Sequence, residues 1–84
     1  MVILYSSRFQ RNFKKLSNKV KIKVVDKIKI LEKDPFNSTL RIHKLHGSEY
    51  FSLWVEYDFR VLFKREKKNI ILLDLGDHDS VYKN

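Results

Sequence analysis

Cysteine is absent from this 84-residue chain, and glycine and proline are scarce, with two and one. The first absence excludes disulfides, thiolate zinc sites, iron–sulfur clusters and cysteine nucleophiles. No glycine-rich phosphate loop, nucleophile elbow or carboxylate metal cage is present either. No apolar run reaches the about 18 residues of a membrane-spanning helix, and the opening Met1-Val2-Ile3-Leu4-Tyr5 lacks the basic flank of a signal peptide. The expectation is a cytoplasmic protein with no membrane partner and no cofactor. At this length it is a single domain, residues 1–84, whose core comes from two packed layers.

What is present is apolar surface and positive charge. The hydrophobic fraction is 43%, including six Phe, four Tyr and one Trp, which suffices for a folded core despite 33% charged residues. The formal charge is +8, and it is unevenly placed. Residues 1–44 hold twelve Lys or Arg against Asp26, Glu32 and Asp34, whereas residues 45–84 hold six against seven acids. Such asymmetry points to a polyanionic partner, nucleic acid first and an acidic protein second; the plainer alternative is that the lysines only solvate helices.

Hydrophobic spacing sets the order of elements. Val2 to Tyr5 suits a short strand, and Ser6 and Ser7 follow as helix caps. Phe9, Phe13, Leu16, Val20, Val24, Ile28 and Leu31 recur at three- and four-residue spacing, which is one face of a helix. Ser17-Asn18 divides that stretch into two helices, and Asp34-Pro35 ends the second. A rival strand pattern, Val20, Ile22 and Val24 alternating with Lys21 and Lys23, yields to helix because the stretch is too long for a strand. From residue 41 the period becomes two. Strands are expected over Arg41–Leu45, Phe51–Tyr57, Phe59–Lys64 and Asn69–Leu75, with Asp58 in a turn and Arg65-Glu66-Lys67-Lys68 at a hairpin tip. The fold class is α+β, with two N-terminal helices on one face of a mainly antiparallel, twisted sheet of four to five strands.

Chemistry falls in the second half. The three histidines, His43, His46 and His78, are the side chains able to exchange protons near neutrality without a metal, although each alone could be a surface or capping residue. The His43/His46 spacing points to opposite strand faces, and no further His or Cys completes a metal site. Arg60 interrupts the apolar run Phe59-Arg60-Val61-Leu62-Phe63 on the parity of Asp58 and Lys64. It either forks hydrogen bonds to a phosphate on an open sheet face or forms a salt bridge to Asp58 or Glu56. Trp54 and Tyr82 are aromatic groups on which unpaired bases could stack, or which could pack on the sheet edge.

Three segments together resemble the RelE/ParE toxin superfamily, and within it the RelE and YafQ types of messenger-RNA interferase. They are His43-Lys44-Leu45-His46-Gly47 (H-x-L-x-G), the strand Tyr57 to Phe63, and the ending Gly76-Asp77-His78-Asp79-Ser80-Val81-Tyr82. The resemblance spans essentially the whole chain. It implies the toxin of a type II toxin–antitoxin pair, a metal-independent endoribonuclease that cuts messenger RNA in the ribosomal A site through attack of a 2′-hydroxyl on the adjacent phosphate. The implied partners are an acidic, adjacently encoded antitoxin, the ribosome and messenger RNA. The implied catalytic residues are His43, Asp58, Arg60, His78 and Tyr82, with His78 as general acid or base, Arg60 as transition-state stabiliser, and His43 with Asp58 as a second proton-transfer or orienting pair. His46, Trp54, Lys44 and Lys64 are candidate RNA contacts. Two departures stand out: Trp54 occupies a histidine position of the YafQ type, and Asp77, His78 and Asp79 replace basic residues of the RelE type. The alternatives are a ParE-like inhibitor of DNA gyrase that cuts nothing, and an inactive member that only binds antitoxin.

Overall fold

The period-two segments and the two amphipathic stretches assemble as expected in a computed structural model, which describes residues 2–77. In chain order the elements are β1 (Val2–Tyr5), α1 (Ser7–Lys14), α2 (Asn18–Lys33), a 3₁₀ turn (Ser38–Leu40), β2 (His43–Lys44), β3 (Tyr50–Glu56), β4 (Phe59–Glu66) and β5 (Asn69–Gly76). The five strands form one sheet in the order β1-β5-β4-β3-β2. Only β1 is parallel to its neighbour, pairing with β5 from Val2↔Asn69 to Tyr5↔Leu72. The remaining pairs are antiparallel.

Serine caps place both helices. The Ser6 hydroxyl accepts from Phe9 N–H and donates to the Leu73 carbonyl, so one side chain starts α1 and ties it to β5. Ser17 caps α2 in the same manner through Val20 N–H. Of the alternating apolar residues in α2, Val24, Ile28 and Leu31 are buried whereas Ile22 is exposed. The strand-like pattern was therefore one off-face isoleucine on a helix. Core side chains from α1 and α2 meet Leu53, Val55, Val61, Phe63, Ile70 and Leu72 of the sheet, with Leu40 of the 3₁₀ turn closing one end. One face of the sheet is thus covered by helices, and among the described residues no helix covers the other.

Two strands differ from expectation by more than one residue at an end. The Arg41–Leu45 strand shrinks to His43–Lys44, because Arg41 takes a left-handed backbone (φ 45) that terminates the 3₁₀ turn. Arg65 and Glu66 belong to β4, which leaves Lys67-Lys68 as the hairpin turn, with Lys67 at φ 57.

Candidate functional site

Cross-strand register places four of the predicted residues, His43, Trp54, Arg60 and Lys64, on the sheet face opposite the core. Directly opposed residues share a face, so His43↔Ser52 and Ser52↔Leu62 form one row, and Trp54↔Arg60 and Arg60↔Gly76 form the next. His43 is exposed on the edge strand. From strand spacing and rise, the Cα atoms of His43 and Arg60 stand on the order of 12 Å apart, close enough for both side chains to reach one ligand. Gly76 places no side chain beside Arg60.

Arg60 is half-buried, and its Nε is buried without a hydrogen-bond partner. Among the described residues it forms no ion pair: Glu56 is engaged by Lys23 instead, and Asp58 lies exposed in the β3–β4 turn. An unsatisfied buried donor costs about 1–3 kcal/mol, more when charged, and that penalty vanishes when an anion binds. The salt-bridge reading of Arg60 is therefore replaced by a guanidinium with donors to spare. The ammonium of Lys23 is held above its ordinary pKa, first by its hydrogen bond to Glu56, so the link between α2 and β3 persists at neutral pH and is lost only as alkaline pH deprotonates the lysine.

The other predicted residues divide by position. Trp54 donates its indole N–H to the Tyr57 carbonyl (2.6 Å), bracing the turn in which Tyr57 has φ 47 and Asp58 follows. Its ring carries two cations, Arg41 at 4.4 Å and Lys27 at 5.1 Å from the centroid. Lys64 is half-buried opposite Tyr50 and Ile71 and pairs with Glu66 (3.3 Å). Lys44, opposite Phe51, has the parity of the helix-covered face although it is exposed at the edge. His46 lies outside β2, in a turn that Ser48 closes by bonding to the Leu45 carbonyl. The expectation of His43 and His46 on opposite faces of one strand is corrected accordingly. His78 and Tyr82 lie outside the described residues.

Sequence reasoning missed Asp74. This carboxylate is 8% exposed at an irregularity in the β4–β5 pairing. It accepts from Asn12 Nδ2 (2.7 Å) and Leu75 N–H (2.8 Å) and pairs with Arg8 Nε at 3.3 Å, so Arg8 and Asn12, one helical turn apart, clamp α1 to β5. Asp74 precedes Gly76 by two residues, which makes it the anchor of the strand end beside Arg60. A single acid between Leu73 and Leu75 was the available signal.

With this geometry in place, comparison with known proteins identifies the fold. No protein-family profile matches the sequence, and no curated protein sequence matches it. Solved structures do match. YafQ from E. coli strain BL21(DE3) shares 22% identity over 95% of this chain and 96% of its own, with a TM-score of 0.80. The RelB–RelE antitoxin–toxin complex from Methanococcus jannaschii matches at 18% identity, 95% of each chain and TM-score 0.78. The YoeB dimer from Staphylococcus aureus matches at 15%, over 93% of this chain and 97% of that chain, with TM-score 0.77. The chain has the fold of the RelE/ParE toxin superfamily.

Proposed function

We propose that this protein is the toxin of a type II toxin–antitoxin pair and acts as a metal-independent endoribonuclease on messenger RNA in the ribosomal A site. The observation that carries the reading is the Arg60 guanidinium, which has no ion pair among the described residues and a buried, unsatisfied Nε on the sheet face away from the core. A group of that kind is suited to a phosphate whose charge rises along the reaction, since preorganised donors contribute most where charge develops. Support for the pairing with an antitoxin comes from structural neighbours seen as toxin–antitoxin complexes, DinJ–YafQ and RelB–RelE.

In this mechanism a base removes the 2′-hydroxyl proton, the oxygen attacks the adjacent phosphorus, and an acid protonates the departing 5′-oxygen. Arg60 stabilises the phosphorane. His78 is the general acid or base, His43 with Asp58 forms the second proton-transfer or orienting pair, and Tyr82 orients a base. Lys44, His46 and Lys64 are proposed as backbone contacts, and Trp54 as a stacking contact at the rim of its occupied ring. The acidic partner covers part of the basic helical half.

The test is to add the protein to translating ribosomes and map new messenger-RNA ends. Wild type is expected to cut; Arg60→Ala and His43→Ala are expected to cut at least about a hundredfold more slowly while retaining wild-type thermal unfolding. Intact messages together with inhibited gyrase supercoiling would overturn the nuclease reading in favour of the ParE-like one.

A further inference from the structure

A cleft of about 390 Å³ opens away from Arg60, between the loop after α2 and the far end of β4, lined by Pro35, Phe36, Asn37, Ile42, Arg41 and Arg65. No acidic residue lines it. Both arginines lack an ion-pair partner among the described residues, and each guanidinium rests on an aromatic ring, Arg41 on Trp54 at 4.4 Å and Arg65 on Phe51 at 4.8 Å. A stacked guanidinium keeps its in-plane N–H edge available while the ring removes much of its rotamer freedom, so the ordering cost of binding an anion is met in advance. Phe36, held next to Pro35 at the rim, is 84% exposed. Its side chain contributes nothing to the core. Arg41 caps the 3₁₀ turn in a left-handed backbone, with its N–H bonded to the Ser38 carbonyl, which fixes where its side chain leaves the chain.

Two planar cations beside an unencumbered aromatic ring form a pattern with a particular complement. An acidic peptide would use the arginines and leave Phe36 idle. A nucleotide uses both, the phosphate on the cations and the base on the ring. We propose that this cleft is a subsite for one nucleotide of single-stranded RNA, further along the strand from the nucleotide held at Arg60. The two positions are continuous: Trp54 stands opposite Arg60 across the β3–β4 pair and carries Arg41 on its ring. An RNA strand leaving Arg60 over the edge strand β2 therefore passes Trp54 with its stacked Arg41 before reaching Arg65, which has the parity of the helix-covered face. The proposal extends the reading of Arg60 as a phosphate anchor, and binding at the cleft is measurable without cleavage.

The probe is a labelled 2′-O-methyl RNA of about six nucleotides, which has no free 2′-hydroxyl to attack with, followed by fluorescence anisotropy at several salt concentrations. Phe36→Ser, Arg41→Gln and Arg65→Gln are each expected to weaken binding about three- to tenfold, and each arginine variant to flatten the slope of log K against log salt by about 0.7. Backbone amide shifts on titrating the same RNA are expected at residues 35–42 and 65. Wild-type affinity and salt slope in all three variants, with Arg60→Gln alone weakened, would overturn the subsite and leave the Arg60 reading standing. Weakening in the three variants with Arg60→Gln unaffected would support the subsite and remove the anchor. Absence of RNA binding by wild type, or the same amide shifts produced by a polyglutamate peptide but not by RNA, would overturn the subsite in favour of no ligand or an acidic protein.

Discussion

Asp74 and Arg60 are charged residues set in neighbouring apolar strands, and the structure gives them opposite fates. Asp74 has its oxygens filled by Asn12, Arg8 and Leu75, whereas Arg60 keeps a buried donor unfilled. Replacing Asp74 by Ala removes the acceptor for a buried backbone N–H and the clamp on α1, and is expected to cost about 1–3 kcal/mol in urea unfolding. Arg8 contributes little to that loss because its side chain is largely exposed and returns to solvent. Asp74→Asn, which keeps one oxygen for Leu75, should cost less than Asp74→Ala. Arg60→Leu should be neutral or stabilising, because it deletes an unsatisfied group; a large destabilisation would contradict the orphaned Nε. Arg60 was legible in the sequence as a break in an apolar strand. Asp74 carried the same signal, but its partners sit 62 and 66 residues away, and nothing local reveals that a helix returns to meet it.

At the scale of elements, the helical face, the break at Ser17 and the antiparallel strands were all legible, because each follows from local spacing and capping. Ser6 and Ser17 illustrate where local reading stops. Both cap a helix, but only Ser6 also donates to Leu73 in β5. Ser6→Ala is therefore expected to destabilise by about 1–2 kcal/mol and Ser17→Ala by about half as much, measured side by side in urea. The shortened β2 was not legible. It follows from the left-handed Arg41, whose guanidinium lies on Trp54, and Trp54 in turn braces the turn holding Asp58. The candidate site is thus set by a chain of contacts from the 3₁₀ turn to the β3–β4 turn, of which the sequence showed only the separate members.

For the whole molecule, a core this small leaves little reserve. Leu31 is fully buried between the helices and the sheet, and Leu31→Ala is expected to cost about 2–5 kcal/mol, a fall of at least about 10 °C in Tm for a domain of this size. The helical half carries most of the positive charge while the sheet carries Arg60 and His43, with Asp58 in its β3–β4 turn, so the charge excess and the proposed site lie in two layers of one small body. The parallel pairing of β1 with β5 adds a constraint of timing. β1 has no other neighbour in the sheet, and Ser6 reaches Leu73, so the first strand and the start of α1 cannot settle until β5 has been made and has joined β4. The β1–β5 pairing and the Ser6–Leu73 bond, which fix them to the sheet, both span more than sixty residues, which places the closing step late in folding. A nascent chain that lacks β5 has its basic helices without the completed sheet that seats Arg60, so on the function proposed above it stays inactive until β5 has emerged and paired.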